Sequence, residues 1–106
     1  MNVPFYLVIG LDPEPHNMPR RNELRTDHRT YVLARDSLIK FAGAMTDDSN
    51  NQTGSIYIFE ASCERVVRDW ISHEPFFKWD VYDQIIVKQV NPALNRIPLI
   101  EWELSH

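Results

Sequence analysis

The sequence predicts an α+β fold in which one antiparallel sheet is covered on one face by two helices. Short apolar runs rich in aromatic and β-branched residues predict strands, and two segments with apolar residues at helical spacing predict helices. Each helical segment lies between two strand-like segments along the chain. The 106 residues are enough for one domain of this kind and too few for two.

The first predicted strand is residues 5–11, a continuous apolar run that is too short for a buried helix. The next segment, residues 12–19, contains three prolines, and each proline removes a backbone hydrogen-bond donor. This segment is therefore predicted to be a loop. His16 lies in it and is expected to be solvated.

The first predicted helix covers residues 24–39, with Asn22 as the N-cap and Glu23 near the positive end of the helix dipole. One stripe at helical spacing consists of Leu24, His28, Tyr31, Val32, Arg35, Leu38 and Ile39. Most of this stripe is apolar and should face the core. His28 therefore occupies a position where an ordinary amphipathic helix carries an aliphatic residue.

The middle of the chain predicts a hairpin. Residues 41–45 read as a short strand, residues 47–54 are polar and rich in turn-forming residues, and residues 55–61 form a clear strand. Asp47 and Asp48 fall in the polar segment, so they are interpreted as turn residues.

The second predicted helix begins after Ser62, which can cap it, and ends before Pro75. Its apolar stripe consists of Cys63, Val66, Val67, Trp70 and Ile71. Cys63 is accordingly interpreted as a small core residue.

The last strand of the domain is predicted at residues 81–90. The resulting order, strand–helix–strand–strand–helix–strand, is the ferredoxin-like βαββαβ pattern with both helices on one face of the sheet. The other face also carries apolar residues and needs a cover. The simplest cover is the sheet of a second copy, so a homodimer is expected.

The sequence divides into a domain at residues 1–90 and a C-terminal extension at residues 91–106. Within the extension, residues 99–104 alternate between apolar and polar side chains, with Trp102 on the apolar side. This pattern predicts an extra edge strand that packs on the domain or on the partner subunit, and Pro98 suits the start of such a strand.

Composition narrows the function classes. The net charge is −4, and an acidic surface repels a phosphate backbone, so nucleic acid is not an expected partner. No apolar run is long enough to cross a bilayer, the N-terminus lacks the pattern of a signal peptide, and the single cysteine cannot form an internal disulfide. A cytoplasmic location is the expectation. No local spacing of His, Cys and carboxylates predicts a metal site, and no glycine-rich phosphate loop is present.

His28 is the leading candidate for chemistry, because histidine exchanges protons near neutral pH. Arg25 lies one turn earlier and can hold an anionic group. Spacing alone favours the simpler interpretation, in which His28 is a core histidine and the arginine is solvated. A carboxylate that fixes the imidazole would favour catalysis.

Glu74 is the candidate for that carboxylate, because Pro75 fixes the chain immediately after it. The simpler interpretation is an exposed glutamate at a helix end. His73 is interpreted as a cation that favours the C-terminal end of the second helix.

Five short motifs follow one another along residues 5–90. They are Arg25-x-x-His28 in the first helix, Ala42-Gly43 in the second strand, Gly54-Ser55 at the third strand, Glu74-Pro75-Phe76 after the second helix, and Val87-Lys88-Gln89-Val90 in the last strand. In order and spacing they resemble the YciI-like (YCII-related) domain family.

The resemblance implies a dimeric ferredoxin-like α/β barrel and a site centred on His28 with Glu74 as its acidic partner. It also implies kinship to small enzymes that act on aromatic breakdown products, including a dehydrochlorinase and proteins similar to muconolactone isomerase. The family usually has Asp-Pro-Phe where this chain has Glu74-Pro75-Phe76. Glutamate keeps the charge and lengthens the reach.

The resulting hypothesis is a small cytoplasmic enzyme without a cofactor. His28 would act as general acid and base, Glu74 would orient it, and Arg25 and Ser55 would bind a small anionic ligand. The reaction would be isomerisation or elimination on a small cyclic or aromatic acid. The alternative is a non-catalytic ligand-binding or regulatory module, because the same fold can carry a pocket without chemistry.

Overall fold

The structure is a computed structural model that describes residues 3–96 of the chain. Its elements are β1 (Phe5–Leu11), α1 (Met18–Ala34), β2 (Ile39–Thr46), β3 (Gln52–Glu60), α2 (Glu64–His73), α3 (Pro75–Lys78) and β4 (Gln84–Val90). Apart from the short helix α3, the order is the predicted βαββαβ.

The four strands form one sheet in the order β2-β3-β1-β4, and every neighbouring pair is antiparallel. In the centre of the sheet, Val8 of β1 lies between Tyr57 of β3 and Val87 of β4. This arrangement confirms the predicted ferredoxin-like α+β fold, with the helices on one side of the sheet.

The hydrophobic core lies between that face of the sheet and the helices. Residues on alternate positions of β1 and β3 point into it, because successive side chains of a strand point to opposite faces. Among the sheet residues, Val8 and Phe59 are completely buried. The helical side of the core contains Val32, Val67, Trp70, Ile71, Phe76 and Phe77. The predicted stripe of the second helix is thus largely confirmed.

Helix α1 begins six residues and ends five residues earlier than the predicted range 24–39. It begins at Met18 after Asn17, so Asn22 is an exposed helical residue and not the N-cap. The proline in the first turn is tolerated, because the first N–H groups of a helix have no helical partner. Helix α1 ends at Ala34. The apolar spacing continued past Ala34 because Ile39, the first residue of β2, also packs on the core, beside Phe59 of β3.

Smaller corrections concern the ends of the other elements. Cys63, not Ser62, is the N-cap of α2; it is only half-buried and does not belong to the hydrophobic core, so its interpretation as a small core residue was wrong. Helix α3 was not predicted. The last strand begins at residue 84, not at residue 81. Val81 and Tyr82 belong to the connection before it, and they are apolar because they are buried there. The predicted strand at residues 99–104 lies outside the described residues.

Within the described part of the chain, no helix is both long enough and apolar enough to cross a bilayer.

Gly10 of β1 leaves room for the ring of Tyr82. A Cβ added at Gly10 would lie 2.6 Å from Cδ2 and 2.7 Å from Cγ of that ring. Neither atom is the free end of a flexible chain, so the ring or the strand would have to move. The aromatic side chain of Tyr82 is therefore seated directly on the backbone of the central strand.

We expect Gly10→Ala to lower the free energy of unfolding by about 1–3 kcal/mol, the usual cost of forcing extra volume into a packed core. Gly43→Ala is the matched control, because its Cβ would meet only the Phe41 ring at 3.7 Å, an ordinary contact. Urea unfolding measures both changes. A Gly10→Ala protein as stable as Gly43→Ala would contradict the close packing of Tyr82 on β1.

Candidate active site

The site is built around a buried histidine–carboxylate pair between α1 and the junction of α2 and α3. His28 Nδ1 contacts Glu74 Oε1, and the Glu74 side chain is fully buried. The other carboxylate oxygen, Oε2, accepts a hydrogen bond of 3.1 Å from the backbone N–H of Phe77. Both oxygens of the buried carboxylate thus have a donor, which is the condition for burying such a charge.

Local sequence explains why Glu74 is held at this corner. It is the C-cap of α2, with its N–H donated to the carbonyl of Ile71, and it is also the N-cap of α3. Pro75 occupies the first position of α3, where its missing N–H costs nothing. The glutamate side chain caps α3 and in the same position meets His28.

The ring of His28 is fixed on a second side by Phe76. The two rings are stacked, with centroids 3.9 Å apart and planes inclined by 2°. Glu74 and Phe76 together define the orientation of the imidazole. The remaining nitrogen, Nε2, has no hydrogen-bond partner in residues 3–96 and is not completely enclosed by them.

A cavity of about 380 Å³ lies beside His28, between α1 and the strands β2 and β3. Its polar lining residues are Arg21, Arg25, His28, Thr46, Gln52 and Ser55. The structure therefore brings the predicted residues His28, Arg25 and Ser55 to one cavity. Glu74 does not line it and lies behind the imidazole.

Arg21 forms a buried ion pair with Asp12, which lies directly after β1. The guanidinium donates to both carboxylate oxygens, with Nε 2.7 Å from Oδ2 and Nη2 2.8 Å from Oδ1. Burial by itself lowers the pKa of Arg21, but the hydrogen bonds to Asp12 outweigh it and the pKa is raised. The group is a permanent cation in the wall of the cavity.

The side chain of Ser55 contacts both this ion pair and a buried tyrosine. Its Oγ lies 3.3 Å from Arg21 Nη2 and 2.6 Å from the hydroxyl of Tyr82, and both groups donate to it. Burial, and then the nearby carboxylate of Glu74, raise the pKa of Tyr82. Tyr82 therefore remains a phenol over the ordinary pH range.

Arg25 lies at the mouth of the cavity and has only neutral partners within the described residues. Its Nη2 donates to Asn22 Oδ1 at 3.0 Å and to Gln52 Oε1 at 3.2 Å. Partial burial, followed by repulsion from Arg29 and Arg21, lowers its pKa. An anion entering the cavity would relieve this repulsion, so Arg25 is well placed to bind one.

The other candidate residues lie elsewhere. His73 ends α2 and is exposed, as predicted, and His16 accepts a hydrogen bond from the backbone N–H of Met18 in its loop. Asp47 caps the predicted turn by accepting from the N–H groups of Ser49 and Asn51, which lowers its pKa. No group of three or more His, Cys, Asp or Glu side chains in residues 3–96 is placed to hold a metal ion.

Sequence reasoning missed two residues of the site, Asp12 and Tyr82, and the ion pair that Arg21 forms with Asp12. Asp12 and Arg21 were not paired, because the segment between them was interpreted wholly as a loop. Tyr82 was treated as part of a strand. One available signal was the position of Asp12 directly after the central strand, where a carboxylate is rarely buried without a cationic partner.

Comparison with known proteins identifies the family and the fold. The sequence profile of the YCII-related domain matches residues 5–91. No curated protein sequence matches the chain significantly. Among solved structures, the chain is similar to 5-chloro-2-hydroxyhydroquinone dehydrochlorinase (TftG) from Burkholderia phenoliruptrix AC1100 in complex with 2,5-dihydroxybenzoquinone. The TM-score is 0.73 at 23% identity, over 82% of this chain and 93% of that one.

Two more distant structures share the fold. Rv0793 from Mycobacterium tuberculosis has a TM-score of 0.51 at 9% identity, over 87% of this chain and 97% of that one. PA3566 from Pseudomonas aeruginosa has a TM-score of 0.51 at 12% identity, over 89% and 98%. Identities this low show the fold alone. Because the profile match covers most of the chain, the protein belongs to the YCII-related domain family.

Proposed function

We propose that the protein is a small cofactor-independent enzyme in which His28 exchanges a proton with a bound cyclic or aromatic acid. The observation that carries this proposal is the fully buried Glu74 carboxylate paired with a histidine that lines a cavity. A carboxylate that orients an imidazole whose other nitrogen faces a cavity is the usual arrangement of a general base.

The chemistry follows from the two nitrogens of the ring. When Nδ1 donates its hydrogen to Glu74, Nε2 carries the lone pair and can accept a proton from the ligand. The negative charge of Glu74 then stabilises the imidazolium, which can return the proton at another atom or assist a leaving group. The reaction classes are isomerisation and elimination.

Arg25 and Ser55 are the proposed ligand-binding residues. Arg25 is a cation with only neutral partners in residues 3–96. Ser55 lies in the cavity wall that the sheet forms, on β3 beside Ala44 of β2. An anionic or phenolate oxygen placed between them would be stabilised by charge and by a hydrogen bond. These positions favour a small anionic ligand.

The solved structure of TftG supports the reaction class. That protein is a dehydrochlorinase, and its structure contains 2,5-dihydroxybenzoquinone, a small cyclic molecule with acidic hydroxyl groups. Elimination of this kind needs a base and a means of stabilising an oxyanion. His28 supplies the first in our proposal, and Arg25 with Ser55 supplies the second.

Replacing His28 tests the role of the base. We expect His28→Gln to lower turnover by about 10²–10⁴-fold, the usual contribution of general acid–base catalysis. The assay measures chloride release from 5-chloro-2-hydroxyhydroquinone and the conversion of a panel of small lactone and aromatic acids. His73→Gln is the control, because His73 is exposed and lies outside the cavity.

A folded His28→Gln protein with the turnover of the wild type would exclude His28 as the base. A wild-type protein that binds these acids beside His28 without converting any of them would favour the non-catalytic binding module.

We also propose that the protein is a homodimer that joins through the open face of the sheet. The residues on this face alternate with the core residues of the same strands, and they are largely aliphatic. They include Leu7, Ile9, Leu11, Phe41, Ile56 and Ile58. A contiguous apolar patch of this kind is characteristic of an interface, and a second copy supplies a complementary sheet.

Ile58 lies in the centre of this patch, paired with Leu7 and Phe41. Ile58→Lys should therefore dissociate the dimer, because it would bury an unpaired charge in the interface. Leu33→Lys is the control, since Leu33 is an exposed apolar residue on α1. Light scattering should give twice the 12.5 kDa chain mass for the wild type and for the control. A monomeric wild type at micromolar concentration would refute the interface.

A further inference from the structure

We propose that Tyr82 and Arg21 fix Ser55 as a hydrogen-bond donor to the cavity, so that the site selects ligands with a phenolate, enolate or carbonyl oxygen at this point. This inference rests on the proposed function in one respect, since it takes Ser55 as a ligand-binding residue. It goes further by stating which protonation state of the ligand binds. It also states that Tyr82 and Arg21 determine this state through Ser55.

A serine hydroxyl has one hydrogen to donate and two lone pairs that accept. Arg21 has no acceptor, so its contact with Ser55 Oγ can only run from Arg21 to the serine. The guanidinium cannot turn away from Ser55, because Asp12 holds its Nε and Nη2 at the same time. One lone pair of Ser55 is thereby occupied.

Tyr82 occupies the second lone pair. Its side chain is buried, and Ser55 Oγ is its hydroxyl's hydrogen-bond partner within the described residues. A phenol hydrogen that did not point to Ser55 would be buried without an acceptor, which is costly. The ring cannot rotate aside easily, since it packs on the backbone of Gly10. Tyr82 therefore donates, at 2.6 Å.

The hydroxyl hydrogen of Ser55 must then point away from both donors. Ser55 lines the cavity together with Arg21 and Arg25, which are donors only, and with His28, whose Nε2 is the proton acceptor in the proposed function. A ligand oxygen at this position meets hydrogens from the protein. A phenolate or carbonyl oxygen accepts them without carrying a hydrogen of its own, whereas a neutral phenol must place its hydrogen elsewhere.

The ligand 4-nitrophenol tests this selection, because its phenolate absorbs visible light and its neutral form does not. In the wild type, we expect the pKa of the bound phenol to lie below that of the free phenol. Ser55→Ala and Tyr82→Phe should each reduce this lowering by about one unit, which is tenfold in the preference for phenolate. The readout is the absorbance of protein-bound 4-nitrophenol as a function of pH.

Tyr31→Phe is the matched control. It removes a tyrosine hydroxyl whose hydrogen bond goes to the backbone carbonyl of Trp70, outside the cavity. This variant should keep the wild-type pKa of the bound phenol. If Tyr31→Phe and Tyr82→Phe change the pKa of the bound phenol by the same amount, the cause is a general loss of packing, and the proposed role of Tyr82 is overturned.

The inference is overturned if Ser55→Ala binds 4-nitrophenol with the wild-type pKa, or if the wild type fails to bind it at millimolar concentration. If Tyr82→Phe does not fold, the Ser55→Ala result decides. The measurement involves no turnover, so it is independent of whether His28→Gln loses activity. An active His28→Gln protein would remove the proposed base and leave the selection by Ser55 intact.

Discussion

The burial of the Glu74 carboxylate is the constraint on which the site depends. Removing a carboxylate from water costs several kcal/mol, and this cost is offset only when donors surround the charge. Here the donors are the imidazole of His28 and the N–H of Phe77. The pair joins residues 46 positions apart. It therefore fixes α1 against the junction of α2 and α3, and the same contact orients the proposed base.

A second buried pair, Arg21 with Asp12, fixes the other end of α1. Arg21 and His28 lie two turns apart on the helix and both face inward. The cavity opens between these two anchored positions and the sheet, with Arg25 at its mouth. The inward stripe of α1 thus changes along its length. Its buried residues Arg21 and His28 are each paired with a carboxylate, whereas Val32, one turn after His28, packs on the hydrophobic core.

Much of the fold could be predicted from local patterns. Residues 5–11 and the strand that includes Tyr57 have strong strand signals, and the stripe containing Val67 and Trp70 has a strong helical signal. Each signal arises from burial of one face of one element. The bounds of α1 were wrong because prolines in residues 12–19 concealed its first turn and because apolar residues continued past its end.

The site could be predicted only in part, because its decisive contacts are long-range. The helical stripe identified His28, the fixed corner before Pro75 suggested Glu74, and the family motif Gly54-Ser55 added Ser55. No local pattern distinguishes a buried Glu74 from an exposed glutamate at a helix end, since the difference depends on where α1 packs. The Tyr82 contact with Ser55 is equally non-local, and it depends on the absence of a side chain at Gly10.

The most direct test of the central claim is the tautomer of His28, measured from the ¹⁵N chemical shifts of its ring by NMR. We predict that neutral His28 carries its hydrogen on Nδ1, donated to Glu74, and leaves Nε2 unprotonated toward the cavity. In Glu74→Gln this preference should weaken, because an amide can donate as well as accept. A neutral His28 with its hydrogen on Nε2 in the wild type would contradict the account, since that ring could not accept a proton from a ligand in the cavity.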